Sequence, residues 1–245
     1  MATPTVLKSA KKELRTLMKQ RLSEISNTSV SSQSAAVFRC IQDFKPYQEA
    51  KRIGIYLSMP TGEIQTDAIV RHALGTGKQV FVPYLHRAQN PPPDTPKSVM
   101  DMVDLRSVSD YESLKRDSWG IPTIGAETVE QRERILAKGA QPLDMILMPG
   151  VAFEIDPTSG YVRRLGHGKG FYDYFLDRYR DNQGSRVVRP STSPGTDVLL
   201  YGLALKEQIL KSEAKASVPV GEHDSLLHGL LVGDGTILGD PSTKE

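Results

Sequence analysis

The chain turns on Leu143-Asp144-Met145-Ile146-Leu147-Met148-Pro149-Gly150 and, beyond it, Arg163-Arg164-Leu165-Gly166-His167-Gly168-Lys169-Gly170-Phe171-Tyr172-Asp173. Residues 143–148 read as a short buried strand closed by the Pro-Gly pair, and Phe171, Phe175 and Tyr179 recur afterwards at helical spacing. In between, three glycines alternate with His167 and Lys169 behind an arginine pair. Glycines let backbone N–H groups come close to an anion, and a helix start adds the positive end of its dipole. Arginine and lysine bring mobile positive charge to the same place. The natural occupant is a phosphate chain.

Outward from this stretch the chain alternates strands and helices. Ile53, Ile55 and Leu57 alternate in a strand over 52–58 that runs into Met59-Pro60-Thr61-Gly62-Glu63. A helix begins near Thr66-Asp67, both good N-caps, and stops at Gly75-Thr76-Gly77, with the next strand over 79–84. A strand–helix–strand unit with so short a crossover predicts parallel pairing. Ligands of such sheets sit beyond the carboxyl ends of the strands, where residues 59–63 fall. Further helices are predicted over 7–25, 35–44, 129–138 and 206–211, an edge strand over 100–105 and a last strand over 198–205. The predicted fold is a single α/β domain, three α/β/α layers around a mostly parallel, Rossmann-like sheet. The Pro-rich stretch 86–98 and the Ser/Arg-rich stretch 180–197 read as surface insertions, and 234–245 as a flexible tail.

A chain of 245 residues can bury a full core, and 31 basic against 29 acidic residues leave a net charge of only +2. That balance argues against a non-specific nucleic-acid binder. Cys40, the only cysteine, permits no intramolecular disulfide and favours a reducing compartment. No apolar run approaches a membrane span. The N-terminal segment is basic without an apolar signal core, and Glu13 and Glu24 weaken a transit-peptide reading, so the cytoplasm is favoured over the mitochondrion. Lys8, Lys11, Lys12, Arg15 and Lys19 line one face of the first helix. From periodicity alone a solvated face is the simpler reading, and a basic arm beside a polyanion the sharper one. Trp119, the lone tryptophan, sits in a loop, where a packing plug is somewhat favoured over a stacking platform for a flat ligand.

Several chemistries are excluded. Gly77-Lys78 is followed by Gln79 and Gly168-Lys169 by Gly170, so neither is a P-loop, and Gly166, Gly168 and Gly170 do not have dinucleotide-fingerprint spacing. The five histidines show no zinc spacing, and no nucleophile elbow exists. A phosphate-handling enzyme outside the common motifs remains.

Met148-Pro149-Gly150-Val151-Ala152-Phe153 together with Arg164 to Asp173 resembles the signature of the 5-formyltetrahydrofolate cyclo-ligase family, the methenyltetrahydrofolate synthetases. Lys11-Lys12-Glu13-Leu14-Arg15 resembles its basic N-terminal helix, and Tyr56-Leu57-Ser58-Met59 with Glu63 its second block. Ser118-Trp119-Gly120-Ile121-Pro122, Ala204-Leu205-Lys206-Glu207-Gln208 and Val218-Pro219-Val220 before Asp224 resemble later ones. The resemblance implies an enzyme that uses ATP and Mg2+ to close 5-formyltetrahydrofolate, free or polyglutamylated, into 5,10-methenyltetrahydrofolate, releasing ADP and phosphate. With the near-neutral charge and the lack of a membrane-length apolar run, the expectation is a monomer with no nucleic-acid or membrane partner. By the same resemblance Lys11, Lys12 and Arg15 meet ATP phosphates. Arg164, Gly166, His167, Gly168, Lys169 and Gly170 cradle the triphosphate, with Phe171 and Tyr172 between it and the folate, and Lys169 and Arg164 act in catalysis. Asp173 holds magnesium, with Asp224 a weaker second candidate. Glu63 fixes the polar edge of the pterin between walls of Leu57, Met59 and Trp119.

The chain departs from the pattern in three places. His167 stands where the family commonly has arginine, Phe171 replaces a tyrosine, and the loop from Met59 to Glu63 is one residue longer. Two other classes compete: a non-catalytic folate or nucleotide binder on the same scaffold, and a sugar-phosphate isomerase-like α/β enzyme. Retention of Arg164, Lys169 and Asp173 argues against the first. The second has no need of a lysine-rich helix or a magnesium carboxylate.

Overall fold

The structure is a computed structural model that describes residues 4–88, 96–182, 198–210 and 217–239. Helix α1 (Pro4–Ser23) buries Leu14 and Met18, four apart on one face. Helix α2 (Asn27–Asp43) begins well before the apolar pattern, because Ser26 caps it by accepting the Ser29 N–H at 3.2 Å. Helix α3 (Lys45–Glu49) leads into strand β1 (Arg52–Ile55), and helix α4 (Asp67–Gly75) crosses to β2 (Gln79–Arg87). Strand β3 (Ser98–Leu105) returns antiparallel to β2, and helix α5 (Val108–Glu112) follows. Next come the small hairpin β4 (Lys115–Arg116) and β5 (Pro122–Thr123) and the short helix α6 (Ala126–Val129). Strand β6 (Met145–Met148) precedes a second hairpin, β7 (Ala152–Ile155) and β8 (Val162–Leu165), and helix α7 (Phe171–Asn182). Strand β9 (Leu199–Ala204), a 3-10 turn at Lys206–Gln208, and strands β10 (Gly229–Val232) and β11 (Ile237–Gly239) complete the described chain.

Seven strands form one sheet in the order β11-β10-β9-β6-β1-β2-β3. The inner strands pair in parallel, as the short crossover through α4 predicted, and only the two outer strands run antiparallel. Strand alternation divides the apolar residues between two faces. Ile53, Ile55, Val80, Met145 and Leu147 pack with Val37, Ile41, Tyr47 and Ile69 of α2, α3 and α4. Phe81, Ile146, Met148 and Leu200 pack with Phe175, Leu176 and Tyr179 of α7 and with Phe153 of the β7–β8 hairpin. Three layers result, in a mostly parallel α/β fold. Ile53, Ile55, Met145 and Leu147 are fully buried, each contributing roughly 1.5–3 kcal/mol. A third, smaller cluster joins Leu14 and Met18 of α1 to Val151, Leu165, Leu210 and Val218.

Five predicted stretches take another form in the described residues. Residues 129–138 are not one helix: α6 ends at Val129, and the following segment runs along the outer edge of β3, with Ile135 N–H bonded to Met102 O and Asp104 N–H to Glu133 O, both at 2.9 Å. The helical spacing misleads because Val129 and Ile135 bury on opposite faces of the sheet, which a single helix cannot do. Of the helix predicted over 206–211, the described residues 206–210 make only a single 3-10 turn at Lys206–Gln208, since Leu210 N–H goes to Phe153 O at 2.8 Å, and residue 211 lies outside the described residues. Strand β2 runs through Arg87 and β3 begins at Ser98, so both ends of the stretch read as an insertion are paired ribbon. Likewise α7 extends to Asn182, and β11 lies within the stretch read as a tail. Residues 89–95, 183–197 and 240–245 lie outside the described residues.

Candidate active site

The site gathers at the carboxyl ends of β1 and β6, where a parallel sheet leaves backbone groups and loops free to meet a ligand. After β6 the chain makes the β7–β8 hairpin before reaching the glycine-rich loop. Alternation along β8 then separates the two arginines. Arg163 faces Asp156 at 3.2 Å and Ser217 at 3.2 Å, away from the loop. Arg164 turns into the site with 8% of its surface exposed. Its Nη1 donates to Pro149 O at 3.3 Å and its Nη2 to Asp173 Oδ2 at 3.1 Å, while its buried Nε has no partner among the described residues. A buried guanidinium N–H without an acceptor is costly, and an incoming phosphate oxygen is a natural one.

Arg15 of α1 closes the loop from the other side, its Nε donating to Gly166 O at 2.8 Å. Gly168, at φ +98°, lies so close beneath it that a Cβ would stand 3.1 Å from the Arg15 Cζ. Lys11, one turn earlier, pairs with Asp224. Lys12 is rotated about 100° from Lys11, as 3.6 residues per turn requires. It lines the outer face of α1 with Ser9, Glu13 and Thr16, so the structure does not bring it to the loop. Lys169 is exposed and makes no ion pair with a described residue. The His167 ring touches solvent yet is flanked closely by protein. That desolvation, and then the charges of Arg164 and Arg15, hold its pKa below the ordinary value. Gly170 abuts the start of α7, whose first N–H groups add the positive end of a helix to the same place.

Asp173 accepts from Arg164 and, through Oδ1, from the Ser225 N–H at 3.1 Å. Ser225 is a contributor that sequence reasoning missed, because a backbone N–H donor has no residue signature. Asp173 and Asp224 both border the cationic loop. Among the described residues no group of three or more His, Cys, Asp or Glu gathers to hold a metal ion.

On the β1 side Leu57 is buried and Met59 half-buried. Glu63 is 4% exposed. Burial lifts its pKa from the ordinary 4.5 to about 7, only partly opposed by the Met59 N–H that it accepts at 2.6 Å. The extra residue in this loop therefore leaves Glu63 pointing inward. Trp119 sits at the tip of the β4–β5 hairpin, and Gly120 (φ +78°) lets that tip approach Pro60, where a Cβ would meet the Pro60 Cγ at 2.7 Å. At 70% exposure Trp119 is not the packing plug favoured beforehand. It presents an open aromatic face. Phe171 is half-buried, and Tyr172 links the two halves. Its ring lies 5.5 Å from the Arg164 Cζ, and its buried hydroxyl has no partner among the described residues. Burial raises that hydroxyl's pKa, with Glu63 adding to the rise against Arg164.

A model of the 5-formyltetrahydrofolate cyclo-ligase family matches residues 7–233. The chain is 36% identical over 234 residues to the mouse protein named 5-formyltetrahydrofolate cyclo-ligase, spanning 96% of this chain and 98% of that one. It is also 36% identical over 236 residues to the Caenorhabditis elegans protein named "Probable 5-formyltetrahydrofolate cyclo-ligase", with the same two coverages. The NMR structure of 5,10-methenyltetrahydrofolate synthetase from Aquifex aeolicus superposes with a TM-score of 0.59 at 21% identity, over 96% of this chain and 95% of that one, a likeness of fold.

Proposed function

Because the chain belongs to the 5-formyltetrahydrofolate cyclo-ligase family, we propose that it is a ligase that closes 5-formyltetrahydrofolate into 5,10-methenyltetrahydrofolate, with ATP and magnesium. The observation that carries this reading is the junction at Tyr172. On one side lies a cationic, glycine-rich loop with a buried arginine N–H that has no partner among the described residues, and on the other a buried carboxyl in the loop after β1, which the hairpin carrying an exposed indole approaches at Pro60. A phosphate chain suits the first and a flat, hydrogen-bonding heterocycle the second.

An amide oxygen is a poor nucleophile and a worse leaving group, so the barrier has to fall through positioning and charge stabilisation. ATP is a substrate here, and its phosphoryl group turns the formyl oxygen into a leaving group for attack by the neighbouring nitrogen 10. Arg164, Arg15, Lys11 and Lys169 meet the negative charge of the phosphates, and the N–H groups opening α7 orient them. His167 joins them when protonated. Glu63 receives the N–H donors of the pterin edge, Trp119 and Met59 cover its faces, and the shielded floor of Leu57 and Tyr172 keeps water from the reacting carbon. Magnesium, when bound, offsets charge on the phosphates, with Asp173 and Asp224 as the carboxylates that would hold it. Two carboxylates completed by phosphate oxygens and water suit this ion better than an all-protein cage.

The same reading makes the chain a monomeric small-molecule enzyme of the cytoplasm, accepting free or polyglutamylated folate. Among the described residues no helix is long and apolar enough to cross a membrane. The test is to mix the protein with 5-formyltetrahydrofolate and Mg-ATP and follow methenyl absorbance and ADP together. Both signals rising supports the ligase. Binding of folate or nucleotide without turnover would make it a binding protein on the same scaffold, and neither signal nor binding would point to another α/β phosphate enzyme.

A further inference from the structure

Lys11 and Asp224 come from opposite ends of the chain and meet beside the glycine-rich loop, with only 18% and 21% of their side chains exposed. The pair is not isolated. Asp224 Oδ2 also accepts the Gly221 N–H at 2.6 Å, so the carboxylate is fixed by the turn that carries it. The next residue, Ser225, donates its N–H to Asp173, which holds Arg164. Leu7 of α1 packs over Gly221, where a Cβ would come within 2.7 Å of its Cδ2. The turn at 221–225 therefore holds one cation from α1 directly and one from β8 through Asp173.

A lysine already satisfied by a shielded carboxylate has little left for a phosphate. A polyphosphate arriving alone has to draw Lys11 away, and it leaves the Asp224 carboxylate facing its own negative charge. A polyphosphate carrying a divalent cation meets no such penalty. The carboxylate turns to the cation as the ammonium turns to the phosphate, and every charge stays compensated. On the reading of this loop as a nucleotide site, we propose that Lys11 and Asp224 form an exchangeable ion pair that makes the site select metal-complexed over free nucleotide. Asp224 is then a positioning residue for Lys11 until a nucleotide-borne cation releases both.

The test is ATP binding to the full chain by calorimetry, once in EDTA and once in excess magnesium, for wild type, Asp224→Asn and Lys11→Gln. Asparagine still accepts the Gly221 N–H but carries no charge. Asp224→Asn is expected to bind ATP more tightly than wild type in EDTA, by roughly fivefold, and more weakly in magnesium. Tighter binding in both media would mean plain charge repulsion, and weaker binding in both a structural role for the turn. Either result overturns the exchange. Lys11→Gln decides the matter should Asp224→Asn not fold: it is expected to lose several-fold more affinity in magnesium than in EDTA, and equal losses overturn the proposal. ATP that binds wild type in neither medium refutes the nucleotide reading of the loop, a failure distinct from that of the exchange.

Discussion

Glu63→Gln separates what the pocket does for folding from what it does for the ligand. Glu63 is 4% exposed, and its carboxyl is lifted from the ordinary 4.5 to about 7. A folded pKa above the unfolded one means that the folded chain keeps a proton the unfolded chain has already released. The associated stability is therefore intact below about pH 4.5 and is lost as pH rises through 7. A rise of this size amounts to about 3 kcal/mol at roughly 1.36 kcal/mol per pH unit, most of it developing between pH 5 and 8. Glutamine keeps the shape, stays neutral, and its Oε1 still accepts the Met59 N–H. Thermal unfolding without ligands is expected to show wild type and Glu63→Gln close together at pH 5. At pH 8 the variant is expected to be the more stable, by roughly 2–4 °C for each kcal/mol. Its affinity for 5-formyltetrahydrofolate is expected to fall, and the folate KM, expected to rise in wild type on acidification through pH 7, is expected to stay flat in the variant. A difference in Tm that stays constant from pH 5 to 8 would refute the reasoning, because it would show that Glu63 ionises freely in the folded chain.

Three further outcomes follow from the same geometry. Lys169 is exposed, so Lys169→Met is expected to change stability by no more than about 0.5 kcal/mol while kcat falls by roughly 10²–10³; less than a tenfold loss, with the fold intact by circular dichroism, makes it a bystander. His167 has its pKa held below the ordinary 6.5, and a bound polyphosphate raises it again, so ATP affinity is expected to strengthen as pH falls from about 7 to 5. The slope vanishes in His167→Arg, and a wild-type KM for ATP that is flat over that range contradicts the contact. Trp119→Ala, at 70% exposure, is expected to leave Tm within a degree or two yet raise the folate KM by roughly tenfold. An unchanged folate KM removes the indole from the pocket.

Much of this molecule is legible in its residues because the central strands are buried on both faces. A run such as Met145 to Met148, all buried, has no alternative home, and a short crossover leaves only parallel pairing. The β7–β8 hairpin is harder to see because polar side chains interrupt it. Glu154, Asp156 and Arg163 spend their charges on one another, and only the turn around Gly160 (φ +76°) signals a reversal. The edge segment after α6 defeats periodicity for a different reason, since its apolar residues serve opposite faces of the sheet. In the site, residue types announce the glycine-rich loop and its cations, but direction is a tertiary matter. Nothing in the sequence distinguishes Lys11, which meets Asp224, from Lys12, which faces outward. Nor does it reveal that Asp173 leans on a backbone donor from Ser225.

The segment that runs beside β3 has a consequence for the surface of the molecule. Unpaired strand edges are templates for adding further strands, and proteins guard them by covering or shortening them. Here one flank of the seven-stranded sheet is capped by its own chain, through the bonds from Ile135 to Met102 and from Asp104 to Glu133. The other flank ends in β11, whose described extent is only Ile237–Gly239, closing on a glycine at φ +79°. Among the described residues neither flank offers a long flat ladder to a neighbouring copy. A chain that unfolds locally at 133–135 would expose one, which makes that modest stretch a guard against cross-β aggregation as well as a piece of the fold.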